Sequence, residues 1–161
     1  MTAIRSNRAR KSGFTLIEIL IVVIILGILA AIVIPQFSSA SNDARRSNVQ
    51  TTAQTLRSQI ALYRLQHADK LPPVTDFWDH MTQYSNEAGT TLSTAKVVSS
   101  GIKYGPYMQQ IAPNALNSLT TVVDGNGSTG LVGGYIYDHA AGVGSGQIWG
   151  TDSDTSTPVK P

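Results

Sequence analysis

The hydrophobic pattern of the chain changes twice along its first third. After a basic start, every residue from 19 to 34 is apolar or glycine. As an α-helix rising about 1.5 Å per residue, residues 14–34 would be roughly 30 Å long, the thickness of the hydrocarbon core of a bilayer. This run therefore predicts a membrane-spanning helix.

Beyond Pro35 the apolar residues recur every three or four positions, with polar and charged residues between them. This spacing is typical of an amphipathic helix, and it lacks the sustained heptad of a coiled coil. We expect one nearly continuous helix over residues 14–66, apolar all round in its first half and one-sided in its second. The predicted buried positions are Phe37, Ala40, Ala44, Val49, Ala53, Leu56, Ile60, Tyr63 and His67.

The remaining sequence predicts a small α+β domain. Pro72 and Pro73 end the long helix, and Thr75 is expected to cap a short helix over residues 76–87, with Gly89 as its terminator. Its predicted inward residues are Phe77, Trp78, Met81 and Tyr84, and His80 is expected at its surface or boundary. Residues 119–123, 132–137 and 147–149 have strand composition, separated by glycine-rich turns such as residues 124–127, and predict a small antiparallel sheet on the long helix. Residues 90–119 have no clear pattern.

The charge distribution gives the long helix a direction. Four of the twelve basic residues precede Gly13, and no acidic residue does. The chain after Gly13 contains the other eight basic residues and all ten acidic residues. Basic residues flanking a membrane span favour the cytoplasmic side, so we expect a cytoplasmic N-terminus and an external C-terminal domain. The basic residues after Gly13 form no long run, which gives nucleic-acid binding no support.

One carboxylate lies where a charge is costly. Glu18 stands at the start of the apolar run, and a carboxylate in a bilayer costs about 2.5 to 3.5 kcal/mol on insertion scales. Such a residue is a functional candidate that needs a partner. An ordinary single-pass anchor does not explain it. A secretory signal peptide, with a cleavage site beginning near Ala31, would have a shorter apolar region.

The segment from Gly13 to Glu18, GFTLIE, resembles the class III signal of type IV pilins and type II secretion pseudopilins. The resemblance implies cleavage between Gly13 and Phe14 by a prepilin peptidase, which also N-methylates Phe14. It further implies that Glu18 pairs with the Phe14 amine of a neighbouring subunit. Gly27 and Pro35 lie where pilin helices have a glycine and a proline, at which the helix can unwind in a filament.

A second, shorter resemblance lies in the part of the chain without a clear pattern. Residues 105–108, GPYM, resemble a GPYL stretch of the major, G-type pseudopilins. An alternative interpretation, independent of the family, is a proline-initiated turn with tyrosines packed beneath it. The family implies a lollipop-like α+β fold. We accordingly expect a leader peptide at 1–13, a transmembrane and assembly helix at 14–35, an amphipathic helix at 36–67, a globular domain at 68–150 and a disordered tail at 151–161.

Catalytic and metal chemistry find little support. The three histidines are scattered, and no nucleophile or phosphate-loop motif is present, so we expect no enzyme and no cofactor. The resemblance raises the question of calcium in a C-terminal loop, for which Asp138, Asp152 and Asp154 are weak candidates. The chain has no cysteine, so an external domain has no disulfide to stabilise it.

Three functions are compatible with these sequence features. The resemblance favours a structural subunit of a type II secretion pseudopilus in the bacterial inner membrane, with prepilin peptidase, other copies of itself and minor pseudopilins as partners. The absent cysteine pair and residues 105–107 favour it over a surface type IV pilin for adhesion, motility or DNA uptake. A membrane-tethered periplasmic binding module, with no role in assembly, is the third.

Overall fold

In the computed structural model of the chain, residues 13–127, 130–140, 144–152 and 157–159 are described. Two compact units comprise Met1–Ala40 and Ser41–Pro161. One helix, α1, extends from Leu16 to Gln66, which confirms the long helix predicted for residues 14–66. Pro35 lies inside this helix without ending it.

Within the second unit, one face of α1 is buried. Val49, Ala53, Leu56, Ile60 and Tyr63 are each no more than 2% exposed, and they follow one another at alternating steps of four and three. This spacing places them on one side of the helix, as predicted. The first three predicted positions are wrong: Phe37, Ala40 and Ala44 are exposed. The periodic pattern starts at Phe37, whereas the first buried residue of this face is Val49, about three turns later.

The second helix is shorter than predicted. α2 comprises only Phe77–Thr82, and Asp76 rather than Thr75 is its N-cap residue. Phe77 and Met81 are buried as expected, and Trp78 is half-buried. His80, expected at the surface or boundary, is 2% exposed and belongs to the core.

Strands β1 (Tyr84–Ser85) and β2 (Leu92–Ser93) form an antiparallel hairpin where the sequence predicted the end of the helix. The Asn86 side chain accepts hydrogen bonds from the amides of Thr90 and Thr91, at 2.9 and 3.2 Å, and so closes the turn. An asparagine that bonds the backbone in this way competes with helix formation. Gly89 lies in this turn with φ of +69°, and does not terminate a helix.

A three-stranded sheet has the order β3 (Val122–Asp124), β4 (Tyr135–Tyr137), β5 (Ile148–Gly150). The strands lie at the predicted places, although β3 begins later. β4 and β5 are antiparallel, whereas β3 and β4 are parallel, so the sheet is mixed. Gly134, just before β4, lies beside the start of β3, where its amide donates to the Thr121 carbonyl, as the parallel pairing of the two strands requires. The α+β fold class is confirmed.

The core lies between α1, α2 and the sheet. It is rich in tyrosine and contains Leu56, Ile60, Tyr63, Leu71, Phe77, Met81, Tyr107, Tyr135, Tyr137 and Ile148. The unpatterned residues 90–119 contribute a short 3-10 helix, Val98–Ser100, and a loop whose Asn114 is buried. Tyr107 and Met108 donate their amides to the Met81 carbonyl, which ties residues 105–108 to the end of α2.

The C-terminal end differs from the predicted disordered tail where it is described. Thr151 is fully buried, Val159 is 8% exposed, and the backbone forms a bridge between Thr151 and Pro158. Arg46 of α1 forms an ion pair with Asp152. Backbone hydrogen bonds and one apolar side chain therefore hold these residues on the domain, although their composition is polar. Residues 153–156, 160 and 161 lie outside the described part.

Candidate processing and assembly site

The residues that the sequence predicts to be processed lie just before α1. Gly13 and Phe14 are exposed and non-helical, and the Phe14 side chain is 79% exposed. A Cβ at Gly13 would meet no atom within 4 Å. The peptide bond between them is therefore in an accessible and unconstrained segment, the kind of backbone that a protease can bind in extended form.

Glu18 has a partner within its own chain. Its Oε2 accepts hydrogen bonds from the Thr15 amide at 2.9 Å and the Thr15 hydroxyl at 2.7 Å. In return the Glu18 amide donates to Thr15 Oγ1 at 3.3 Å. This reciprocal arrangement is a capping box, in which the two side chains bind two amides that the helix leaves unpaired.

Sequence reasoning missed Thr15. The signal was available, since a threonine followed by a glutamate three positions later and then an apolar run is the sequence signature of a capping box. Thr15 and Glu18 thus set the position at which α1 begins, and the carboxylate is already bound by two donors.

The large apolar side chains in the first part of α1 are exposed. From Ile19 to Ile34, the large apolar side chains are between 41% and 67% exposed, on all sides of the helix. Of the helices in the described part of the chain, α1 is the one long and apolar enough to cross a membrane. An apolar surface this large marks a site of contact with lipid or with other proteins.

Gly27 and Pro35 lie on this uncovered part. A Cβ at Gly27 would meet nothing within 4 Å outside its own helix, so the glycine is not needed for packing within the chain. Pro35 cannot donate a helical hydrogen bond, and its carbonyl accepts one from the Ser39 hydroxyl at 3.1 Å. The helix continues on both sides of the proline.

Asp138 and Asp152, the two weak metal candidates within the described residues, each have another partner. The Asp138 carboxylate accepts bonds from the amide and hydroxyl of Ser145, and Asp152 pairs with Arg46. Asp154 lies outside the described residues. Within residues 13–127, 130–140, 144–152 and 157–159, no three histidine, cysteine or acidic side chains are placed to hold a metal ion.

Comparisons with known proteins agree with the geometry of this junction. Residues 8–34 match the family described as the prokaryotic N-terminal methylation motif. The chain is 46% identical over 57 residues to the type IV narrow pilus major component PilA5 of Thermus thermophilus, and 42% identical over 59 residues to the type II secretion system core protein G of Pseudomonas aeruginosa. The N-terminal segment of the chain is therefore similar to those of pilins and pseudopilins.

These pilin and pseudopilin matches are confined to part of each protein. The two alignments cover 35% and 37% of this chain, and 49% and 42% of the respective relatives. A third, to core protein G of Vibrio cholerae, is 34% identical over 67 residues and covers 42% of this chain and 44% of the relative. The chain thus matches less than half the length of these relatives. No solved structure matches it.

Proposed function

We propose that this chain is a structural subunit, and not an enzyme, of a type II secretion pseudopilus, assembled through α1 and supporting protein export. The observation that carries the proposal is the junction itself. An exposed Gly13–Phe14 bond directly precedes a capped helix whose apolar surface is uncovered over its next five turns. The match to the methylation motif and the similarity to core protein G support it.

In this proposal a prepilin peptidase removes residues 1–13 and N-methylates Phe14. Residues 14–35 then serve as the transmembrane and assembly helix, residues 36–67 as its amphipathic continuation and residues 68–150 as the globular domain. The subunit waits in the bacterial inner membrane with its N-terminus on the cytoplasmic side, because the basic leader favours that side. Lipid covers the apolar surface of α1 before assembly, and other subunits cover it afterwards.

Glu18 gives the assembly its register. Before assembly, the capping box with Thr15 lowers the cost of placing the carboxylate at the membrane, since two donors replace water. Cleavage creates a cationic amine at Phe14, and the amine of a neighbouring subunit then pairs with Glu18. A stagger between subunits that leaves Glu18 without this partner would cost several kcal/mol in an apolar environment, so one stagger is preferred.

The helix itself adapts between Gly27 and Pro35. A glycine weakens a helix by about 1 kcal/mol and an interior proline by about 3 kcal/mol, so this segment is where α1 unwinds most easily when subunits pack. Copies of the same chain are the main partners in the fibre, with minor pseudopilins as additional ones.

The test uses the full chain co-expressed with a prepilin peptidase and an assembly system. Mass spectrometry should find a mature N-terminus at methylated Phe14. Glu18→Ala should be processed normally but form no fibre, whereas Asp43→Ala, which removes an exposed acid from the same helix outside the apolar run, should form fibres. An uncut Met1, or normal fibres from Glu18→Ala, would contradict the proposal.

A type IV pilin subunit is the second candidate, and the similarity to PilA5 favours it. Adhesion, motility or DNA uptake would then replace protein export. Fibres on the cell surface, together with unchanged protein export after deletion of the gene, would support the pilin. Lost export with no surface fibre would support the pseudopilin.

A further inference from the structure

Two histidines are buried at the end of α1, one on each side of a tyrosine. His67 is 0% exposed and His80 is 2% exposed. The Tyr63 ring stacks on the His67 ring with centroids 3.7 Å apart and planes 4° from parallel. The Tyr63 hydroxyl lies 3.0 Å from Nδ1 of His80. We call these three residues the histidine cluster.

The hydrogen bonds of His67 fix its neutral form. Its Nδ1 is 2.8 Å from the carbonyl oxygen of Tyr63, which can only accept, so Nδ1 carries the proton. Its Nε2 is 2.8 Å from the Ser85 hydroxyl and therefore accepts from it. A second proton at Nε2 would reverse this bond and place a charge in the core.

His80 is bound in a similar way, but with a carboxylate. Its Nε2 lies 3.5 Å from Oδ2 of Asp76, so Nε2 donates and Nδ1 accepts from the Tyr63 hydroxyl. Burial and the Asp76 charge raise the pKa of Tyr63 to about 12, which keeps this hydroxyl a donor at physiological pH. Protonation of His80 would make both Nδ1 and the tyrosine hydroxyl donors facing each other, and the hydroxyl would have to turn away.

The charges around His67 oppose its protonation. Among the described residues, no carboxylate contacts its ring. The uncharged groups that face it are the rings of Tyr63 and Tyr104, the hydroxyls of Ser85 and Tyr107, and the carbonyls of Tyr63 and Asn86. The titratable groups that oppose its protonation are the Lys70 ammonium and His80. Burial, with smaller effects from His80 and Lys70, lowers the pKa of His67, and the two carbonyls only partly oppose this.

Burial also lowers the pKa of His80, although Asp76 and Asp79 raise it in part. Asp76 is half-exposed and so is partly screened by water. The two imidazoles thus compete for protons: a charge on His80, the one with a carboxylate, makes a charge on His67 more costly.

We propose that the histidine cluster is an acid-sensitive latch that fastens α2 and β1 to the C-terminal end of α1 and releases them when its imidazoles take up protons. His80 belongs to α2, and His67 binds Ser85 of β1, so both elements are joined to α1 through neutral imidazoles. The latch is a property of the domain and does not depend on whether the chain assembles into a fibre.

The direction of the pH effect follows from the lowered pKa values. Both histidines bind protons more weakly in the closed latch than in the opened chain, whose histidines titrate near 6.5. The opened state therefore takes up more protons as the pH falls, and linkage favours it. The latch is fully closed above about pH 6.5 and is progressively lost below that value.

Hydrogen exchange of the full chain in detergent micelles tests this proposal. At pH 5, compared with pH 7.5, protection factors corrected for the intrinsic pH dependence should fall by about tenfold or more in residues 77–93. The amides of β4 and β5 should change much less. NMR titration of the imidazole signals should show His67 and His80 taking up protons over the same pH range in which protection is lost.

Matched variants separate the latch from general acid sensitivity. His67→Gln and His80→Gln keep an amide donor but cannot be protonated, so the double variant should lose most of the pH-dependent change in residues 77–93. His139→Gln removes the third histidine, which is only half-buried and lies outside the cluster, and should keep the change. If the double variant folds poorly, the titration of the unaltered chain still decides.

Two results would overturn the proposal. One is protonation of His67 and His80 while residues 77–93 remain fully protected. The other is an undiminished loss of protection at pH 5 in a folded double variant.

Discussion

Asn114 offers a sharp test of how the domain is held together. It lies in residues 90–119, which have no clear hydrophobic pattern, yet its side chain is 1% exposed. Its Nδ2 donates to the carbonyls of Gly134 and Thr151, at 2.7 and 2.8 Å, and its Oδ1 accepts from the Leu116 amide at 2.8 Å. One amide thus joins its own loop to the chain before β4 and the chain after β5.

Asn114→Ala removes these bonds and leaves buried partners behind. Gly134 O keeps other donors, the Thr151 amide and hydroxyl, so its loss is partly compensated. The Leu116 amide and the Thr151 carbonyl lose this partner. With a penalty of about 1 to 2 kcal/mol for each of these two groups, the free energy of unfolding should fall by about 2 to 4 kcal/mol.

The measurement is urea unfolding of the full chain in micelles, followed by tryptophan fluorescence of the domain. For a domain of this size, the expected loss corresponds to a fall in Tm of about 8 to 16 °C. Asn42→Ala is the control, since Asn42 is exposed on α1 and alanine favours a helix, so stability should be equal or slightly higher. A loss below about 0.5 kcal/mol for Asn114→Ala, with an unchanged m-value, would refute the reasoning.

The isosteric change Asn114→Asp gives a second, independent measurement. Its carboxylate would face two carbonyl oxygens in a buried site, so the pKa of the new carboxyl should be raised above its unfolded value near 3.9. A raised acid pKa means that the folded state binds more protons, so stability is greatest at low pH and is lost as the pH rises. Relative to the unaltered chain at the same pH, the variant should therefore be less destabilised at pH 4 than at pH 7.

Three further substitutions test other contacts. Gly150→Ala should lower the free energy of unfolding by about 1 to 3 kcal/mol, because a Cβ there would overlap the Val49 side chain, and urea unfolding measures this loss. Tyr63→Phe should cost about 1 to 2 kcal/mol in the same assay, because His80 Nδ1 loses its buried donor. Thr15→Val should destabilise the first turn of α1 by about 1 kcal/mol, seen as faster amide exchange in that turn, because the capping box is lost.

Each of these has a control within the chain. The methyl group added by Gly27→Ala would contact no atom within 4 Å, so this change should raise helix stability, in contrast to the change at Gly150. Thr15→Asn retains an N-cap acceptor and should keep most of the protection that Thr15→Val loses. A fully stable Tyr63→Phe variant would show that His80 finds a replacement donor, against the geometry of the histidine cluster.

The junction before α1 could be read from the sequence because its chemistry is local. A basic leader, a glycine, a single carboxylate and an apolar run are all adjacent, and their meaning depends on the membrane more than on tertiary contacts. The roles assigned there to Gly13, Phe14, Glu18, Gly27 and Pro35 remain proposals. The capping partner Thr15 was equally local and could have been found from the same six residues.

The errors arose where tertiary contacts decide. Periodicity alone extended the buried face of α1 back to Phe37, because a repeat of apolar residues does not tell where a covering domain begins. The helix predicted through residue 87 instead ends at Thr82, since the Asn86 side chain closes a turn that a hairpin stabilises. The local pattern predicts a surface or boundary position for His80, because its partner, Tyr63, is distant in sequence.

Local patterns in the sequence were enough to predict the long helix, the places of the strands and the apolar run behind its basic leader, since each depends on neighbours within a turn or two. The parallel pairing of β3 with β4, the bonds of Asn114 and the packing of His67 and His80 around Tyr63 become visible only in the folded domain. These depend on hydrogen bonds between residues far apart in the chain, and a local pattern does not encode which distant donor meets which acceptor.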